Sequence, residues 1–144
     1  MSTDTMTGLE LLRAGAAGKL PHASISDIMG MYSMEVEEGR VVIHARADER
    51  HLNPLGGVHG GFAATVLDSV TGCAVHSRLP AGAVYGTVDL NVKMLRPVPR
   101  DQNLVAEATV THLSRSLGVS EGTLRDEKGN LLASASATCF IKQS

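Results

Sequence analysis

From His59 to Ser77 the chain reads HGGFAATVLDSVTGCAVHS, and Asp68 is the only acidic residue in that run. No Lys or Arg follows before Arg78. Phe62, Ala63, Val66, Leu67, Val70 and Val75 surround the carboxylate with apolar neighbours, so a helix here is largely buried. Burying a charge is costly unless something pairs with it or uses it. Directly upstream lies NPLGGVHGG, glycine-rich and placed to lead into the helix. A helix N-terminus presents free backbone N–H groups to an oxygen that carries negative charge. An isolated acid beside an oxyanion-binding turn suggests acyl chemistry.

These groups need elements to hold them. Thr7 to Ala17 reads as a short helix that stops near Gly18, with Pro21 beyond. Met31–Glu37 and Arg40–Ala47 read as two strands joined around Glu38-Gly39. Residues 48–58 form a Gly-rich polar loop, and Gly60 to about Arg78 is the long central helix. Pro80-Ala81-Gly82 breaks the pattern. Val84, Gly86, Val88, Leu90, Val92 and Met94 then alternate with Tyr85, Thr87, Asp89, Asn91 and Lys93. A period of two marks a half-buried strand, with the first set expected on the core side. Leu104–Leu113 is β-rich, and Gly118–Asp126 and Leu131–Ile141 flank a Lys128-Gly129-Asn130 turn as a hairpin. Strands segregated from one buried helix give an α+β fold, an antiparallel sheet wrapped round the helix.

Composition narrows the function classes. The chain has 144 residues, which suits one domain spanning 1–144, with residues 1–20 as an N-terminal helical segment. A net charge of −2 with 43% hydrophobic residues fits neither a nucleic-acid surface nor a disordered tail. Only 3% of residues are aromatic, too few for base-stacking platforms. Cys73 and Cys139 sit far apart in apolar segments and read as reduced core residues of a cytoplasmic protein. No apolar run is long enough to span a bilayer, and Glu10 and Arg13 break up the N-terminal leucines, so no signal peptide is expected. No His, Cys, Asp and Glu spacing suggests a metal site. The glycines lack the Lys-Ser/Thr of a phosphate loop, and the GxSxG elbow of serine esterases is missing.

Asn53, Gly57-Val58-His59-Gly60-Gly61, Asp68 eight positions after Gly60, Gly86-Thr87-Val88-Asp89-Leu90-Asn91 and Arg96-Pro97 together resemble the hotdog-fold acyl-CoA thioesterases. The resemblance is to the phenylacetate-degradation branch related to 4-hydroxybenzoyl-CoA thioesterase, and it covers roughly residues 30 to 142. It implies a hotdog fold and hydrolysis of an acyl-CoA, with aryl or arylacetyl groups favoured and no cofactor. It also implies roles. The Gly60 N–H polarises the thioester carbonyl, Asn53 supports the carbonyl or the water, and His59 orients its surroundings. Asp68 is general base or nucleophile, and Thr87 helps hold the attacking water. Gly61 and Asn91 line the substrate, and Arg115 and Ser116, within His112–Ser116, reach the nucleotide end of coenzyme A.

Each residue also has a plainer explanation. Asp68 could pair with a buried Arg, Asn53 could be an ordinary turn residue before Pro54, and His59 could be only a helix-start residue. His51 and His76 read as surface or packing residues, and Cys73 as core. Rival functions are a hotdog hydratase or dehydratase, which pairs a His with its acid, and a non-catalytic acyl-CoA-binding module. One geometric point goes further. Gly60 and Asp68 lie eight residues apart, about 12 Å along a helix, whereas reacting groups meet at about 3 Å. The site therefore takes Gly60 and Asn53 from one chain and Asp68 from another. A two-fold dimer with antiparallel central helices is the minimum assembly, and a homotetramer, a dimer of dimers, is the expected one.

Overall fold

The computed structural model describes residues 2–143. Helix α1 (Gly8–Ala16) starts with a capping box, in which Thr7 accepts from the Glu10 N–H and Glu10 accepts from the Thr7 N–H. A short helix α2 (Ser24–Ile28), absent from the sequence expectation, precedes β1 (Met31–Glu37) and β2 (Arg40–Ala45). The loop from Arg46 to His59 holds one 3₁₀ turn, Glu49–His51. Helix α3 (Gly60–His76) follows, then β3 (Val84–Met94), β4 (Leu104–Leu113), β5 (Leu117–Arg125) and β6 (Leu131–Lys142).

All six strands form one antiparallel sheet in the order β1-β2-β4-β5-β6-β3. Helix α3 lies against one face of it. The apolar residues expected around Asp68 are the core: Phe62, Val66, Leu67 and Val70 of α3 pack on Leu104, Leu124 and Leu132 and are nearly free of solvent. Close packing needs a thin spot in the sheet. At Gly118 a Cβ would lie 2.6 Å from Val75 Cγ1, so only glycine fits there. A long helix held in the curl of an antiparallel sheet is the hotdog arrangement, in the α+β class.

β3 departs from the expected alternation. Its pairing with β6 shifts between Thr87 and Asp89, where Val88 is an extra residue in the strand. A one-residue slip exchanges the two faces. Leu90 and Val92 face the helix as expected, but Val84 (56% exposed) and Val88 (65% exposed) do not. Before the bulge, Tyr85 and Thr87 of the polar series point inward instead. β3 is also an edge of the sheet, and its outer edge is uncovered in this chain.

Candidate active site

The loop before α3 is tightly specified. His51 is buried, with Nδ1 accepting from the Asp48 N–H (3.0 Å) and Nε2 meeting the Ile28 carbonyl (2.7 Å). Its ring lies 5.0 Å from Phe62. This pins the loop to the end of α2 and to the core, the packing role expected of it. The His51 carbonyl then accepts from the His59 N–H at 2.8 Å, which places the residue that caps α3. Asp48 accepts from the Arg50 side chain and backbone, and that contact holds its carboxyl near about 2.

His59 is the N-cap of α3. Its Nδ1 accepts from the Gly61 N–H at 2.8 Å, so the ring proton sits on Nε2, on an exposed side chain. The helix-start explanation for His59 is therefore real. It also has a chemical consequence. The Phe62 N–H goes to the His59 carbonyl (3.0 Å), the Gly61 N–H goes to the ring, and the Gly60 N–H has no acceptor among the described residues. That leaves one aimed donor at the positive end of a 17-residue helix. Gly60 is glycine for a steric reason too, since a Cβ there would stand 2.8 Å from Met94 Sδ and 3.0 Å from its Cε.

Asn53 shapes the turn ahead of the cap. Its Oδ1 accepts from the Leu55 N–H (2.9 Å) and the Gly57 N–H (3.2 Å), and its own N–H donates to the Gly57 carbonyl (2.7 Å). It is thus a turn residue as well as a candidate donor. With Oδ1 occupied, Nδ2 has no acceptor among the described residues and is left to donate outward.

Asp68 stands mid-helix, and its Oδ1 is the one buried side-chain polar atom without a hydrogen bond among the described residues. No Lys, Arg or His forms an ion pair with it there. An orphaned buried acceptor costs about 1–3 kcal/mol, and the buried-Arg explanation finds no partner in this chain. The negative charge is felt nearby. Burial, and then Asp68, push the Cys73 thiol up to about 11. Burial lifts the Tyr85 phenol far above its usual range, with Cys73, Cys139 and Asp68 adding to it. Burial also raises Cys139, which Thr87 partly offsets. Both thiols are free, and their raised values make them poor nucleophiles.

Thr87 turns inward on this side, its Oγ1 3.8 Å from Cys139 Sγ, because of the bulge at Val88. The remaining candidates lie elsewhere in the chain. Gly61 follows Gly60 in the first turn of α3. Asn91 is on the outer sheet face, in a polar concavity of about 510 Å³ with Lys93, Glu107 and Glu121. Arg115 and Ser116 occupy the exposed turn between β4 and β5. That turn adjoins the C-terminal half of α3, because Gly118 touches Val75, so it is remote from Gly60 in the same chain. One chain therefore does not gather all the candidates. It places Asp68, Thr87 and the Arg115 turn on one side and Gly60, Asn53 and His59 at the helix start.

Two nearby residues, Met94 and Tyr85, escaped the sequence reading. Met94 covers Gly60, and with Val58, Ala63, Arg96 and Leu132 it lines a groove of about 300 Å³ at the helix start. Tyr85 packs on α3 opposite His76, ring centres 5.1 Å apart. His76 is half-buried, and burial lowers its pKa. The bulge hid Tyr85, since the plain alternation assigns it to the polar face. No group of three metal-ligating side chains occurs among the described residues.

Known proteins are similar to this chain over part or most of its length. A provisionally named esterase of Halobacterium salinarum is 47% identical over 68 residues, spanning 46% of this chain and 44% of that protein. Human acyl-coenzyme A thioesterase 13 is 28% identical over 96 residues, 66% of this chain and 68% of that one. The crystal structure of a phenylacetic acid degradation-related protein from Ralstonia eutropha superposes with a TM-score of 0.81 at 29% identity, covering 89% of this chain and 97% of that one. The thioesterase superfamily pattern itself matches residues 55–133, from the turn before α3 through the start of β6. With that match running over more than half of its length, the chain belongs to the thioesterase superfamily.

Proposed function

We propose that this protein hydrolyses an acyl-CoA thioester, with an aryl or arylacetyl group favoured, to a free acid and coenzyme A. The observation that carries the reading is the Asp68 carboxylate, held without a partner in apolar surroundings. A protein keeps such a costly group where it has work. The thioester oxygen sits on the Gly60 N–H, with the Asn53 Nδ2 as second donor. Preorganised donors of this kind are each worth about 2.7–4 kcal/mol of barrier. Asp68 takes a proton from water as it adds to the carbonyl carbon, with Thr87 holding that water. Alternatively, its oxygen attacks directly, and water hydrolyses the mixed anhydride after the thiolate leaves. In both routes the carbonyl electrons pass to the oxyanion and return as the C–S bond breaks, and the thiolate leaves as coenzyme A.

The site is shared between two chains. An uncovered 11-residue edge at β3, carrying exposed Val84 and Val88, is unusual for a protein that stays single. Beside it the α3 face bearing Gly61, Ala64, Thr65 and Asp68 is only half-covered by its own sheet. A two-fold partner with its helix antiparallel brings its Gly60 to this Asp68 and covers both. The same partner moves the Arg115 turn closer to the substrate's nucleotide end, and dimers pair further into a tetramer. No helix is long and apolar enough to cross a membrane among the described residues, and a cytoplasmic enzyme fits the substrate. A thiol-release screen across aryl-, short- and long-chain acyl-CoAs tests the reading. Turnover of one of them with release of coenzyme A supports it, and binding without turnover overturns it.

A further inference from the structure

Arg96-Pro97 is among the residues that resemble the thioesterases, yet the chemistry at Gly60 and Asp68 gives it no task. The pair follows directly on the end of β3. The Leu95 and Arg96 N–H groups both donate to the Leu132 carbonyl, at 2.8 and 3.0 Å. Pro97 narrows the backbone freedom of Arg96 further. Arg96 is thus anchored at its backbone, while its side chain is exposed and forms no ion pair among the described residues. The groove of about 300 Å³ at the helix start is lined by both Gly60 and Arg96. Every other residue along it is apolar, so Arg96 is its only charge. Met94 (57% exposed) and Leu95 (55% exposed) leave it open to water.

A thioester oxygen on the Gly60 N–H sits about 3 Å from that nitrogen, so the rest of the substrate begins beside this groove. Two groups leave the carbonyl carbon, the acyl group and the sulfur arm, and the arm is the one that leads to phosphates. An open apolar groove with one unpaired guanidinium fits the arm, because arginine pairs with phosphate through two parallel N–H donors. The reach agrees. From sulfur to the first phosphorus the arm has about 13 bonds, as many as about four residues of chain, or about 15 Å when extended. Met94 packs on Gly60, and Arg96 lies at most about 7 Å of chain beyond it, with a long side chain to add. Resting on the proposed thioesterase reading, we infer that Arg96 is a coenzyme A-binding residue: the pantetheine arm leaves the site along this groove, and the guanidinium holds the phosphate at its end. The Arg115 turn adjoins the C-terminal half of its own α3. In the proposed antiparallel dimer that half lies beside the other chain's Gly60. Arg96 of one chain and the Arg115 turn of the other then stand at the same end of one site, Arg96 on the nearer phosphate and the turn on the nucleotide beyond.

The test places one acyl group, the best of the thiol-release screen, on four carriers: pantetheine, 4′-phosphopantetheine, dephospho-coenzyme A and coenzyme A. Wild type, Arg96→Ala, Arg96→Lys and Leu95→Trp are compared, each checked for its melting temperature. In wild type, kcat/KM should rise at the step from pantetheine to phosphopantetheine. Arg96→Ala should remove that rise, with KM about tenfold higher on all three phosphorylated carriers, kcat kept and pantetheine unaffected. The difference should shrink as salt is added. Arg96→Lys should keep part of the rise as a point charge. Leu95→Trp narrows the groove and should raise KM alike for short and long acyl groups. A folded Arg96→Ala variant that keeps the wild-type rise, or loses as much on pantetheine, overturns the inference while hydrolysis itself stands. So does a Leu95→Trp variant that penalises long acyl groups selectively, since the groove would then hold the acyl chain. A wild type that hydrolyses none of the screened thioesters overturns the functional reading and this inference together.

Discussion

Replacing Asp68 with Asn should move activity and stability in opposite directions. The substitution keeps shape and removes the charge. Asp68 Oδ1 is buried without a hydrogen bond, and the side chain has no ion pair among the described residues of this chain. Asn leaves a polar atom in that place, so the stability gained is that of removing the charge alone. The expected sign is a higher Tm, at about 2–4 °C per kcal/mol gained for a chain of this size. Loss of the base or nucleophile should lower kcat at least about a hundredfold. A third readout follows from the electrostatics. Burial and then the Asp68 charge hold Cys73 up at about 11. With the charge gone, the pH at which Cys73 becomes open to alkylation should move down, while burial keeps it above an ordinary thiol. The assays are thiol release from the best acyl-CoA, thermal melting, and the pH dependence of iodoacetamide labelling. A variant that turns over at near wild-type rate would show that Asp68 is not the reacting group. A variant that loses both activity and stability would show that the carboxylate is a structural element instead.

Further substitutions separate the other roles. Asn53→Ala should lower kcat more than it raises KM, because its donor is strongest toward the transition state, and a pure KM effect would move it to ground-state binding. Gly60→Ala places a methyl 2.8 Å from Met94 Sδ and should depress kcat/KM with the fold intact. Met94→Ala in the same chain should restore part of that loss, and no recovery would mean that Met94 is not the obstacle. Arg115→Ala should raise KM for acyl-CoA and leave a short acyl-pantetheine thioester unaffected, whereas equal losses on both would point to a folding defect.

Much of this was open to sequence reading, for physical reasons. A lone acid in an apolar helix stands out because burial of charge is rare, and α3 begins at Gly60, where the glycine-rich turn ends. The strands were legible from their period, and their limits agree within a few residues. Facing on β3 was not, because a bulge at Val88 exchanges the two faces without any change in composition. Tyr85 and Thr87 therefore fell in the polar series of the strand, although both point inward before the bulge. Helix α2 is five residues long and carries no periodic signal. Met94 and the groove beside Gly60 depend on contacts between distant segments, which spacing cannot reveal. For Asp68, sequence supplies the residue and one chain supplies its isolation, and in the proposed dimer the groups facing it belong to a second copy.

The shared site is the central claim, and subunit mixing tests it most directly. Asn53→Ala and Asp68→Ala proteins are unfolded and refolded together, and mixed dimers are verified by differential tagging. Each mutant alone should be almost inactive. A mixed dimer carries one doubly damaged site and one intact site, and random pairing makes about half the dimers mixed. Activity should therefore recover to about a quarter of wild type. Verified mixed dimers with no recovered activity would place Gly60, Asn53 and Asp68 in a site within one chain and contradict the shared-site account.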